Sequence, residues 1–192
     1  MPKKIIVCYL RADSNVLEDH VLNRMASRVA PKYGDASKKA PVVHVELFFP
    51  DKSGDSGLSA GICYGGKAFM FPKKFSRPNW EFHSVPVTNA QYEKAIQFCD
   101  RQRGAPFNYR GFYLPRACGV GQMYREQRLT THVMPWYCSE LVAYALLHAD
   151  VLDRGQTWLA SAHPNAAHHV IQQHCDTFID SARNYSNTPF IL

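Results

Sequence analysis

Residues 134–150 read MPWYCSELVAYALLHAD, and stepping from Cys138 at helical spacing meets Leu141, Val142, Ala145, Leu146 and Ala149. All five are apolar, so the spacing predicts a helix over Tyr137–Ala149, with Cys138 in its first turn on the inward face. A thiol there lies near the positive end of the helix dipole and near backbone N–H groups with no intrahelical acceptor. Both favour the thiolate, which is the reactive form. The same N–H groups can receive a developing oxyanion. A free cysteine is more often a small buried residue, so this position by itself does not separate nucleophile from core.

A second segment bears on that choice. Residues 40–49 read APVVHVELFF, rich in β-branched and aromatic residues, and predict a strand over Val42–Phe49. Alternate strand residues share a face, which puts His44, Glu46 and Phe48 on one side and Val43, Val45 and Leu47 on the other. The second set is wholly apolar and reads as a core face. The first brings an imidazole and a carboxylate together in an otherwise hydrophobic strand. A catalytic thiol needs a base for its proton and a third polar group to orient that base. His44 suits the first role; Glu46 suits the second, or serves as an acid or substrate contact, and an ordinary half-exposed strand face is the plainer alternative.

Around these two segments the expected order is strand, helix, a run of antiparallel strands, then helices, an α+β class in one domain over residues 1–192. Strands are expected at Ile5–Leu10, Leu58–Tyr64, Lys67–Phe71 and Phe82–Val87, with Gly65–Gly66 as a two-residue hairpin turn and Asp51–Gly57 as a turn. Asn15 with Glu18 opens a helix bearing Leu17, Val21, Met25 and Val29 inward. Thr88 with Gln91 opens another, which Gly104 ends. Phe107–Leu114 reads as a short helix or loop, Lys32–Lys39 and Cys118–Thr131 as loops, and Pro164 as the start of a last helix to about His174.

Composition narrows the function classes. With 46% hydrophobic and 20% charged residues, the chain is globular rather than disordered. The net charge of +6 comes in pairs such as Lys3–Lys4, Lys38–Lys39 and Lys73–Lys74, which does not indicate a nucleic-acid arm. None of the six cysteines stands in a C-x-x-C pair, giving no zinc or redox signature, and the expectation is free thiols in an intracellular, cytoplasmic setting. The apolar run after Lys4 is too short for a secretion signal, and no segment approaches membrane-spanning length. His163, His168, His169, His174 and Cys175 cluster near the C-terminus without the i, i+4 spacing of a zinc helix, and read as a solvated helix. No metal or cofactor is expected.

Taken together, VVHVELFF (42–49), LSAGICYGG (58–66), Asn79–Trp80, APFNYRGFYLP (105–115) and WYCSELVAYAL (136–146) resemble the circularly permuted branch of the NlpC-type papain-like superfamily. That branch includes YiiX-like bacterial proteins, lecithin–retinol acyltransferase-like enzymes, and phage and large-DNA-virus members. In it the histidine strand precedes the cysteine helix, the order found here over Val42–Ala149. The resemblance implies a permuted papain-like fold, an antiparallel sheet or half-barrel against helices, with Cys138 as nucleophile and His44 as general base. It leaves the third polar residue open: Glu46 fits, with Ser59 and Tyr64 as fallbacks. Tyr109, Trp136 and Tyr137 are candidates for a pocket wall, although aromatic residues are more often core. The implied activity is hydrolysis of an amide or ester in a peptide, amide or acyl-lipid substrate through a thioester. The alternative is a structural or interaction protein, such as a virion component, that keeps the fold with little activity.

Overall fold

The computed structural model describes residues 3–13, 40–51, 54, 56–75, 80–113 and 133–175. Five strands alternate between two faces: β1 (Lys3–Arg11), β2 (Val42–Pro50), β3 (Gly57–Gly61), β4 (Phe69–Lys73) and β5 (Trp80–Val87). They form one sheet in the order β4-β3-β2-β1-β5, each neighbouring pair antiparallel. Among the described residues five helices follow: α1 (Asn89–Arg101), α2 (Tyr109–Tyr113), α3 (Cys138–His148), α4 (Arg154–Ala160) and α5 (Pro164–Gln172). Strands first and helices after, among the described residues, make the class α+β. The helix expected from Asn15, the loops at 32–39 and 118–131, and Asn79 lie outside the described residues.

Two clusters of apolar side chains hold the sheet. Ile5, Val7 and Tyr9 of β1 join Val45, Leu47 and Phe49 of β2 and the buried residues of α1, α3 and α5 in the main core. On the other face Cys8, Phe48 and Phe75 form a smaller cluster, covered by Ile6, Trp80 and Phe82. Strand β2 is therefore buried on both sides. The polar face of the strand is not half-exposed: Glu46 retains 2% of its accessible surface.

Helix α3 departs from the expected one-sided stripe. Every residue from Cys138 to Leu146 is buried, because α1, α4, α5 and β2 pack around it. A helix apolar on all sides belongs inside the protein, and the run Leu141–Leu147 has only the Tyr144 hydroxyl as a polar side-chain group. The turn before β4 differs too. Gly65 takes the left-handed conformation at φ 71° and the Gly66 N–H reaches the Cys63 carbonyl, but strand pairing begins only at Gly61–Phe69. The chain between is drawn outward, because Ala68 exchanges backbone hydrogen bonds with Gly104 and Ala105 at 2.8 Å each.

The Thr88 cap is present as expected: its hydroxyl accepts the Gln91 N–H, and the Gln91 side chain accepts the Thr88 N–H at 2.9 Å. Gly104 follows with φ 84°. Helix α4 was not anticipated, yet Asp153 and Gln156 form the same reciprocal cap.

Candidate active site

The start of α3 is fixed from three directions. Trp136 lies in a parallel bridge with Phe107, its N–H on the Pro106 carbonyl at 3.0 Å and its carbonyl on the Asn108 N–H at 2.7 Å. Tyr137 is extended, and its N–H donates to the Glu140 carboxylate at 3.3 Å. Asn108 Nδ2 donates to the same carboxylate oxygen at 2.9 Å. From the far side, the Ser161 carbonyl accepts the Tyr137 hydroxyl at 2.6 Å and the Ser139 hydroxyl at 3.3 Å. Cys138 thus opens the helix in a set position, with 6% of its surface accessible. Its backbone N–H, in the first turn, has no intrahelical acceptor.

The Cys138 side chain lies within hydrogen-bonding reach of the His44 imidazole. Strand β3 pairs with β2 only over Leu47–Pro50, while α3 packs on both strands. His44 Nε2 donates to Glu46 Oε1 at 3.1 Å. Burial disfavours the imidazolium, but the bonds to Cys138 and Glu46, with their charges, outweigh it and hold the His44 pKa well above its ordinary value.

Glu46 is itself clamped. Lys73 Nζ donates to both carboxylate oxygens, at 2.8 and 2.7 Å, and the Ser59 hydroxyl donates to Oε2 at 2.6 Å. Burial alone would raise this carboxyl; His44 and then Lys73 bring its pKa down to about 2. The Lys73 ammonium sits 4.4 Å from the Phe75 ring centre and 4.8 Å from that of Trp80. Gly61 makes room for the carboxylate, since a Cβ there would come within 2.9 Å of Glu46 Cγ.

Of the sequence candidates, His44, Glu46 and Cys138 come together. Ser59 reaches the site through Glu46. Tyr64 does not join them: it is 40% exposed and stacks with Phe107, Tyr109 and Phe112. Trp136 is core rather than pocket wall, fully buried with its indole N–H on Gln102 at 2.9 Å. Tyr137 likewise faces inward, and Tyr109 is exposed. The five described cysteines are free. Burial raises the thiol pKa of Cys99 to about 12 and that of Cys8 well above the ordinary value, so neither is poised to react.

The sequence reading missed Lys73, Asn108 and Glu140. Glu140 carried a signal, an acidic residue in the first turn of an otherwise apolar helix. The C-terminal histidines also depart from the expected solvated helix. His163 caps α5 through Nδ1, and His168 turns inward onto Glu81 at 2.8 Å.

The sheet and site define an α+β protein with a Cys–His–Glu cluster at a buried helix start. Comparisons with family models, curated proteins and solved structures found no match. Among the described residues no helix is long and apolar enough to cross a membrane.

Proposed function

We propose that the chain is a cysteine hydrolase of amide or ester bonds, built on a permuted papain-like arrangement. The observation that carries the reading is the side-chain order Cys138, His44, Glu46, with the thiol at the first residue of α3. With Nε2 engaged by Glu46, Nδ1 of His44 is the nitrogen left to take the thiol proton. The thiolate then attacks the carbonyl carbon of a peptide, amide or acyl-lipid substrate, and the Cys138 N–H stabilises the oxyanion. Collapse expels an amine or alcohol that takes the proton from His44, leaving a thioester on Cys138. Water, giving its proton to His44, adds to the thioester, and the acid leaves as that proton returns to sulfur. Glu46 acts on the imidazole alone, fixing its orientation and its charge.

The test is alkylation by iodoacetamide at mildly acidic pH, read residue by residue by mass spectrometry. Cys138 is expected to react ahead of the exposed Cys63, and His44→Ala to abolish that preference. The second reading, a structural or interaction protein that keeps this arrangement, draws on the burial of Cys138. Reaction at Cys63 with Cys138 untouched would sink the hydrolase and favour that alternative.

A further inference from the structure

A second cluster of metal-ligating side chains lies across the sheet. In the register of β1, Cys8 stands opposite Glu46 and its neighbour Tyr9 opposite Glu81, so Glu81 and His83 point to the face away from Glu46. His168 comes to them from α5. Both imidazoles direct Nε2 to a single oxygen, Glu81 Oε1, each at 2.8 Å. One ligand atom from each of the three residues lies within 4.8 Å of the others.

We propose that Glu81, His83 and His168 bind a divalent transition-metal ion of the zinc class, which fastens helix α5 to the edge strand β5. Two imidazole nitrogens and one carboxylate oxygen suit zinc and its neighbours, whereas calcium and magnesium take oxygen ligands. Zinc bonds of about 2.0–2.1 Å set tetrahedral ligand atoms ~3.3 Å apart, so each imidazole withdraws from Oε1 by about half an ångström while the two nitrogens, now within 4.8 Å of each other, settle at that same spacing. In the bound form each Nε2 presents its lone pair and the ring proton resides on Nδ1. Arg11 supports the carboxylate from behind. Its Nε donates to Oε2 at 2.9 Å and its terminal nitrogen binds the same oxygen, leaving Oε1 turned toward the imidazoles. The Tyr9 ring stands edge-on to both, 5.2 Å from His83 and 4.8 Å from His168, and limits their swing. Side-chain exposures of 31% for Glu81, 12% for His83 and 16% for His168 leave a path for the ion and for water as its fourth ligand. The inference does not rest on the hydrolase reading.

The full chain, stripped with a chelator, is titrated with Zn²⁺ by calorimetry and with Co²⁺ by absorption spectroscopy, and its Tm is followed. One equivalent is expected to bind and to raise the Tm, with visible cobalt bands and no near-ultraviolet thiolate band. His83→Ala and His168→Ala should each weaken binding at least about tenfold and remove the Tm rise, with circular dichroism unchanged. If either variant fails to fold, Glu81→Gln keeps an acceptor for the imidazoles and should weaken binding likewise. No binding, a thiolate band as the sole signal, or variants that bind as tightly as the unaltered chain would overturn the proposal.

Discussion

Glu46 is an ionised carboxylate almost without water, and it stays ionised because Lys73, Ser59 and His44 surround it. Its folded pKa of about 2 lies below the ordinary 4.5. Its contribution is therefore complete above the unfolded value and is lost as pH falls toward the folded one. The shift corresponds to about 3 kcal/mol at neutral pH, of which roughly 2 kcal/mol disappears by pH 3. Urea unfolding of the unaltered chain and Glu46→Gln at pH 6 and pH 3 checks this. The gap between the two should narrow by roughly 2 kcal/mol at the lower pH. A gap independent of pH would mean that Glu46 is not the titrating group. At this scale the sequence was informative about His44 and Glu46, two residues apart on one strand. Lys73 was not legible, because it arrives from β4, two strands away in the sheet, and its contact depends on how far the chain runs past Glu46.

The start of α3 is held by the Glu140 carboxylate on the Tyr137 N–H, within its own first turn, and by contacts from other elements. Tyr137 supplies no side-chain cap, and the carboxylate of Glu140 is shared by the Tyr137 N–H and the Asn108 amide. Gly111 in α2 leaves space for that amide, since a Cβ there would approach Asn108 Nδ2 to 2.2 Å. Gly111→Ala should push Asn108 off Glu140 and cost about 1–3 kcal/mol for the buried acceptor left short of a donor. The Cys138 alkylation rate should fall with it. Denaturation midpoints and labelling kinetics read both, and an unchanged labelling rate would detach α2 from the site. Local signals explain what was legible among the elements. Thr88 with Gln91 announced α1, and Asp153 with Gln156 has the same form but sits among short polar and apolar runs without a clear period, which hid α4. The one-sided reading of α3 failed because spacing from Cys138 reports one apolar face, while Ala143, Tyr144 and Leu147 supply others.

Across the whole molecule, among whose described residues the helices come after residue 88, the α+β class followed from a run of strand-like segments with helical spacing on either side of it. The strand order did not. β1 lies between β2 and β5, and its pairing with Trp80–Val87 bridges seventy or more positions, beyond any local pattern. That arrangement has a consequence for α3, whose buried turns draw on α1, α4, α5 and β2 at once. The packing predicts that Cys138 is freed only when these elements come apart together, so that any selective reactivity of its thiol is a property of the cooperative unit. In urea, the preference for Cys138 over Cys63 should vanish at the same midpoint as the far-ultraviolet circular dichroism. A lower midpoint for the thiol would reveal a separate unfolding step near α3. With coincident midpoints the cysteine serves, whatever its substrate, as a built-in gauge of global folding.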